Sequence, residues 1–183
     1  MIGPVIPPEV AIASRLFGAG LFAFAAYGKL RNWTPFIGIV GNYRLVPGGT
    51  ERLAAVAIVT AEVAVAGLLA TGFGAPFGGQ LGIALLLAFA AAMTIAIARG
   101  QRTIDCGCFQ TSLRQTLSGL LVLRNLVLAA LLLPALATAG RLNGPMQLVD
   151  GIGAALALLL LNGAVATMLA NREANARLSA RFA

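Results

Sequence analysis

The sequence contains no histidine, only two cysteines, and few charged residues, which make up 10% of its 183 positions. Without histidine, the chain cannot build a Ser-His-Asp or Cys-His nucleophile or a histidine-bound metal site. Two cysteines are too few for a thiolate zinc site. The six carboxylates are scattered along the chain, so a glycosidase-like carboxylate pair is not indicated. These absences exclude many of the common soluble enzyme classes.

Apolar residues are abundant, at 59% of the chain, and the mean hydropathy is +0.90. This composition is typical of a membrane protein. An apolar run of about 20 residues crosses a hydrocarbon core of roughly 30 Å as a helix. The sequence therefore predicts an all-α integral membrane protein, with residues 1–183 forming one membrane domain. Its predicted spans are 10–28, 53–72, 77–98, 118–139 and 148–170.

The basic residues lie mostly on one side of these predicted spans. They concentrate in the segment 29–52, in the segment 99–117 and in the tail after residue 170, whereas the opposite side holds Arg141 alone. The positive-inside rule then places the N-terminus outside and the C-terminus in the cytoplasm. The basic residues form no stripe with interleaved aromatics, so the sequence pI of about 11.1 does not indicate nucleic-acid binding.

The segment after the first span carries apolar and aromatic residues at helical spacing, flanked by arginines. This pattern predicts an interfacial helix with its apolar side down and its basic groups at the headgroups. A plain membrane anchor and a lid over a redox site are both compatible with the pattern. The residues that carry it are Trp33, Phe36, Ile37, Val40 and Tyr43, between Arg31 and Arg44.

Three glycines open the third predicted span. Gly78 and Gly82 have the spacing of a small-xxx-small motif, and Gly79 lies between them. Such spacing lets helix backbones approach closely. We therefore expect close helix packing here and no ligand site.

Both cysteines fall within the segment Ile-Asp-Cys-Gly-Cys-Phe-Gln at 104–110. Gly107 lets the backbone bend far enough for the Cys106 and Cys108 sulfurs to meet. A disulfide across one residue is strained and easily reduced, and it closes too small a loop to stabilise the fold. The pair therefore indicates thiol–disulfide exchange, with Asp105 placed to influence thiol protonation. Cu(I) binding, palmitoylation and inert buried thiols are the other interpretations.

A second group of candidate residues consists of charges inside the predicted spans: Arg15, Glu62 and Arg124, with Asn125 beside the last. Counted from the inner helix ends at 1.5 Å per residue, Arg124 is roughly 10 Å deep, Glu62 about 14 Å and Arg15 about 20 Å. Charges this deep require partners, so we expect both arginines to reach Glu62 from opposite sides.

Such a charge cluster has a structural and a functional interpretation. It could fix helix register alone. Alternatively, its net positive charge could favour a thiolate, a bound anion or a reduced quinone oxygen. Arg124 lies on the same side as the cysteine segment and is the better candidate to act on it. Arg15 and Asn125 are the candidate residues for binding a cofactor.

Taken in order, several motifs resemble the MauE family of methylamine utilisation membrane proteins. MauE belongs to a wider DoxX-like set with some likeness to disulfide-generating reductases of the vitamin K epoxide reductase type. The Cys-Gly-Cys segment and the later Arg-Asn are the most specific features, and Gln110 departs from the glycine usual at that position. The motifs are Tyr-Gly-Lys-Leu (27–30), Asn-Tyr-Arg-Leu-Val-Pro (42–47), Glu62, Arg-Gly (99–100), Asp-Cys-Gly-Cys-Phe (105–109) and Leu-Arg-Asn-Leu-Val-Leu (123–128).

The resemblance implies a role in maturation and not in amine oxidation itself. Proteins of this type are associated with making the disulfide-rich small subunit of a quinoprotein amine dehydrogenase, beside a thioredoxin-like protein, MauD. On this basis Cys106 and Cys108 would exchange electrons with a thioredoxin-fold partner from the bacterial inner membrane, with Arg124, Glu62 and Asp105 tuning the pair. An oxidase would also need an acceptor such as a quinone in the bundle, whereas an electron conduit needs only another dithiol.

Two questions remain open at the level of sequence. Charge bias places the cysteine segment on the cytoplasmic side, whereas the implied partner works outside; either the segment folds back into the bundle, or one hydrophobic segment re-enters the membrane. A non-catalytic scaffold of a maturation complex and a Cu(I)-handling protein are the alternative functions.

Overall fold

A computed structural model describes residues 6–100, 118–136 and 145–182. These ranges are helical apart from short connections, and they contain no strand. The elements are α1 (Pro8–Arg31), α2 (Trp33–Asn42), α3 (Glu51–Thr71), α4 (Ala75–Ala98), α5 (Gly119–Leu131), a 3-10 helix (Leu133–Leu136) and α6 (Pro145–Phe182).

Five stretches of the described chain are long and apolar enough to cross a membrane. They are α1, α3, α4, the combination of α5 and the 3-10 helix, and residues Leu148–Leu169 of α6. The predicted all-α membrane architecture is confirmed, and the span boundaries agree to within a few residues. Residues 137–139, which the sequence assigned to the fourth span, lie outside the described residues.

Helix α1 occupies the centre of the bundle. It packs against α3, α4, α6 and the 3-10 helix, while α4 packs against both α3 and α5. In its most apolar stretch, 61% of α1 is buried, compared with 28% of α3. Small residues in α1 let the neighbouring helices approach its backbone closely. Phe17 and Phe22 of α1 are buried in the main hydrophobic core, between α1 and those helices.

The end of α1, the start of α3, the end of α4 and the start of α5 lie at one end of the bundle, which we call the Arg31 face. Two contacts establish this arrangement. Arg99 Nη1, just after α4, donates a hydrogen bond to the Arg44 carbonyl before α3, at 3.3 Å. Tyr43, Met93 and Leu121 share one buried cluster. The chain between α4 and α5 therefore leaves from this face and returns to it.

The α5 helix is interrupted because Pro134 has no N–H group to donate. The chain continues as a 3-10 helix in which Ala135 N donates to the Leu132 carbonyl, at 3.0 Å. In an α-helix this N–H would have bonded to Leu131 O. The Ser14 hydroxyl of α1 donates to that carbonyl instead, at 2.7 Å. The Ser14 hydroxyl thus bonds α1, at the centre of the bundle, to the position where α5 is interrupted.

We expect Ser14→Ala to lower the free energy of unfolding by about 1–2 kcal/mol, because the Leu131 carbonyl would lose its donor in a partly buried position. The measurement is loss of helical circular dichroism during SDS titration in mixed micelles. Thr167→Ala is the control, since the Thr167 hydroxyl bonds to Ala164 O of its own helix at an exposed position. Equal effects of the two substitutions would contradict the role given to Ser14.

Candidate functional site

The principal polar site is an ion pair between Lys29 at the end of α1 and Glu62 in the middle of α3. Lys29 Nζ donates to Glu62 Oε1 at 2.6 Å, and each side chain is only 1% exposed. In the described part of the chain it is the one salt bridge inside the spans. Because isolated charges in a membrane cost several kcal/mol, each residue requires the other in this position.

Two aromatic rings enclose the Lys29 ammonium. Its Nζ lies 5.5 Å from the ring centre of Phe36, on α2, and 5.5 Å from that of Phe89, on α4. Cation–π attraction at such distances is strongest where water is excluded. The ammonium is therefore held by charge on one side and by ring faces on two others.

Helix α2 covers this ion pair from the side of α3. The predicted helix after the first span is confirmed, and it begins at Trp33 and ends at Asn42. Its Phe36 side chain is 3% exposed and packs with Ala26, Ala55 and Val59. The apolar side of α2 thus faces the protein as well as the surrounding membrane, and α2 shields the pair.

One carboxylate oxygen of Glu62 remains without a hydrogen bond. Within the described residues, Glu62 Oε2 is buried and has no donor, whereas Oε1 accepts from Lys29. Leaving a buried carboxylate oxygen without a donor costs free energy. Buried polar atoms in folded proteins are usually satisfied. Among the described residues Glu9 Oε2 is in the same state, but Glu62 lies in the middle of a spanning helix, where its free oxygen can receive a proton or a hydrogen-bond donor.

The expectation that Arg15 and Arg124 pair with Glu62 is wrong. Arg15 Nε donates to the Leu69 carbonyl in the last turn of α3, at 3.4 Å, so its charge lies at the negative end of that helix dipole. Arg124 instead faces α6. Both Nε and Nη2 of Arg124 donate to Asn162 Oδ1, at 3.2 and 3.0 Å.

The physical reason for this difference is the position of Lys29. The first predicted span ended at residue 28 and left Lys29 outside it, but α1 continues to Arg31 and keeps this residue on its buried side. Phe22, Ala25, Ala26 and Lys29 are spaced by three and four residues, the spacing of one helix face, and all are buried. Extending that apolar stripe by one turn would have placed Lys29 on the buried face of α1.

The remaining candidate residues are dispersed. Asn125 is buried in α5, and its side-chain nitrogen donates to the carbonyl of Leu121 in the same helix, at 3.3 Å. Asp105, Cys106 and Cys108 lie outside the described residues. The structure thus brings together Glu62 and the unanticipated Lys29, while Arg15, Arg124 and Asn125 each occupy other positions.

Comparisons with known proteins agree on one family. Residues 8–139 match the family model described as methylamine utilisation protein MauE. The chain is 43% identical to the methylamine utilization protein MauE of Paracoccus denitrificans, over 94% of this chain and 98% of the relative. It is 39% identical to that of Methylorubrum extorquens, over 94% of this chain and 93% of the relative. No solved structure matches the chain significantly.

Proposed function

The chain belongs to the MauE family of methylamine utilisation proteins, and from this premise we propose that it is a membrane thiol–disulfide oxidoreductase. Cys106 and Cys108 are its exchanging pair, and Lys29 with Glu62 is the charged centre that supports them. Its proposed role is to assist disulfide formation in an amine dehydrogenase subunit, together with a thioredoxin-like partner. The family membership supports a role in the methylamine dehydrogenase system.

The observation that carries this proposal is the buried ion pair with its unbonded carboxylate oxygen. A helix bundle needing only stability would place apolar residues here, since buried ion pairs give little net stabilisation. Oxidation of two thiols releases two protons, and a carboxylate can receive one of them. Glu62 Oε2 is an acceptor free of any other donor in the described chain, and the Lys29 ammonium favours a nearby thiolate.

The topology adds independent support. The segment that contains Cys106 and Cys108 joins α4 to α5, and both helices meet the Arg31 face. Lys29 lies in the last turn of α1 at that face. The helices on either side of the cysteine segment thus have their adjoining ends at the face where Lys29 leaves α1.

The proposed reaction balances as an exchange. A thiolate of the partner attacks the Cys106–Cys108 disulfide to form a mixed disulfide, and the second partner thiol releases it. The partner gains one disulfide and loses two electrons and two protons, while Cys106 and Cys108 become thiols. Return to the disulfide form requires an acceptor of two electrons and two protons.

The decisive experiment follows the two sulfurs directly. We expect alkylation and mass spectrometry of the protein in native membranes to find Cys106 and Cys108 joined in one fraction and reduced in another. Treating intact cells and inverted vesicles separately with a membrane-impermeant maleimide reports which side they reach. Thr111→Ser is a control, because it alters the same segment without altering a sulfur.

We also expect Cys106→Ser combined with Cys108→Ser to abolish maturation of the client, the amine dehydrogenase subunit whose disulfides form. The variant itself should still accumulate in the membrane. Each single variant carries no disulfide for the partner thiolate to attack, so each should also fail to oxidise the partner. Normal maturation in the double variant would refute the oxidoreductase and favour a scaffold.

A further inference from the structure

A narrow crevice lies between α2, α3 and α4, beside the chain that connects α2 to α3. Its volume is about 250 Å³, which is below the usual range of small-molecule sites, so it suits one flexible chain better than a compact ligand. Apart from Lys29 and Tyr43, every residue that lines it is apolar. Leu45 and Ala88 line it and are exposed, so the crevice opens to the outside of the bundle.

The crevice extends along α4 from the Arg31 face into the hydrocarbon region. Met93 and Leu85 both line it, and Arg99 directly follows α4. At 1.5 Å per residue, Met93 lies about 9 Å and Leu85 about 21 Å from Arg99 along the helix. The hydrocarbon core is roughly 30 Å thick, so the crevice reaches past the middle of the membrane. This position suits an acyl chain that belongs to a lipid on the Arg31 face.

Two arginines lie where the crevice meets the Arg31 face. Arg44 stands between Tyr43 and Leu45, which both line the crevice, and Arg44 itself is exposed. Arg99 Nη1 donates to the Arg44 carbonyl, at 3.3 Å, so the Arg99 guanidinium lies beside the same turn. Guanidinium groups match the geometry of phosphate and can bind it through two parallel hydrogen bonds.

The backbone at Arg44 has an unusual conformation. Its φ is +49°, and among the described residues it is the one residue other than glycine with a positive φ. Side chains rarely adopt this left-handed region because it is strained, whereas glycine adopts it freely. Strained residues often lie at sites of function. An arginine in this position therefore favours a use for its charged side chain.

The surrounding surface is also basic. Arg31 and Arg52 are two further exposed arginines on the Arg31 face, where Glu51 at the start of α3 is a carboxylate. The orientation predicted from the sequence turns this face to the cytoplasmic leaflet, whose anionic headgroups attract basic residues near the surface. The charge of the face thus complements an anionic lipid better than a zwitterionic one.

We propose that the crevice binds one anionic phospholipid, with its phosphate on Arg44 and Arg99 and one acyl chain between α2, α3 and α4. Lys29 and the rings of Phe36 and Phe89 that enclose its ammonium are among the lining residues. The bound chain therefore keeps water away from the buried ion pair. Binding requires neither the cysteines nor the proposed thiol–disulfide exchange.

Trp33 provides a reporter for this site, because it is the only tryptophan of the sequence. Its ring centre lies 6.4 Å from that of Phe36, which lines the crevice. The full chain is placed in phosphatidylcholine nanodiscs with a rising fraction of phosphatidylglycerol that carries bromine on its acyl chains, since bromine quenches nearby tryptophan fluorescence. We expect quenching that saturates at a low phosphatidylglycerol fraction. Brominated phosphatidylcholine should quench only in proportion to its amount.

Arg44→Gln combined with Arg99→Gln should raise the phosphatidylglycerol fraction at half-saturation by roughly tenfold or more, because both phosphate contacts are lost. Arg31→Gln combined with Arg52→Gln is the matched control. It removes the same charge from the same face at exposed residues that do not line the crevice, and we expect a much smaller change. Equal effects would overturn the proposal, because they would show only general attraction between the face and the bilayer.

Ala88→Leu tests the apolar part of the site. Ala88 lines the crevice, whereas Ala91 of the same helix does not, and both are exposed. Ala88→Leu should abolish the saturable quenching, because the added side chain occupies the space of the acyl chain, and Ala91→Leu should preserve it. Both should keep the helical circular dichroism of the wild type.

Three results would overturn the proposal. The first is equal quenching in Ala88→Leu and Ala91→Leu. The second is saturation by brominated phosphatidylcholine at the same low fraction, which would remove the preference for an anionic headgroup. The third is loss of the quenching on addition of inorganic phosphate, which would assign the two arginines to a free anion and not to a lipid.

Discussion

Lys29→Met should destabilise the protein by about 3–5 kcal/mol, because it leaves the Glu62 carboxylate buried in the membrane without a counter-charge. Glu62→Leu should have a comparable effect, since it removes the carboxylate that the buried Lys29 ammonium contacts. Both losses are measurable as a shift of the SDS unfolding midpoint in mixed micelles. In the described residues, Arg15 contacts the Leu69 carbonyl and Arg124 contacts Asn162.

The double variant Lys29→Met with Glu62→Leu separates structure from function. Without either charge, neither burial penalty remains, so we expect stability to return to within about 1 kcal/mol of the wild type. Thiol–disulfide exchange should nevertheless stay impaired, because the proton acceptor and the positive charge are both absent. If the double variant had normal stability and normal client maturation, the ion pair would have only a structural role.

Glu51→Gln is a suitable control for these substitutions. Glu51 is another α3 carboxylate, but it lies at the first residue of the helix. Its loss should change stability only within the range of ordinary surface substitutions, about 0.5 kcal/mol. A large effect at Glu51 would show that the loss of negative charge from α3, and not the loss of the buried contact, governs stability.

The sequence was sufficient to predict the spans because the bilayer imposes one requirement on every helix that crosses it. Apolar runs of the right length leave few alternatives when all backbone hydrogen bonds must be made within the segment. The short α2 helix was predictable for a similar reason, since Trp33, Phe36 and Ile37 share one helix face. The third-span glycines were also interpreted correctly, because Gly78 and Gly82 are buried against α3 and α1 side chains.

The ion pair was only half predictable. A lone carboxylate in an apolar run identifies Glu62 by the cost of its burial. Its partner depends on where α1 ends and on which helix packs next to α3, and these are tertiary facts. Lys29 lies close to the predicted helix end, where basic residues are common at the membrane surface. Counting depth along each helix could not show that Arg15 and Arg124 face other neighbours.

The strictest packing requirement falls on Gly18, in the middle of α1. A Cβ built there lies 2.6 Å from Leu132 Cδ2 and 2.7 Å from Leu69 Cδ1. Leucine termini move readily at a surface, but both of these side chains are fully buried. Because closely packed side chains move aside only at a cost, we expect a larger residue to push α1 away from α3 and from the break after α5. This close approach is what allows α1 to contact so many neighbours.

We therefore expect Gly18→Leu to lower the free energy of unfolding by about 3 kcal/mol or more, near the upper end of the overpacking range. The measurement is the same SDS titration, together with the yield of folded protein in the membrane. Gly67→Leu on α3 is the control, because a Cβ there meets no atom within 4 Å. Both changes remove a helix glycine and add the same apolar side chain to a spanning helix. If Gly18→Leu were as stable as Gly67→Leu, α1 could not be packed as closely as its position at the bundle centre requires.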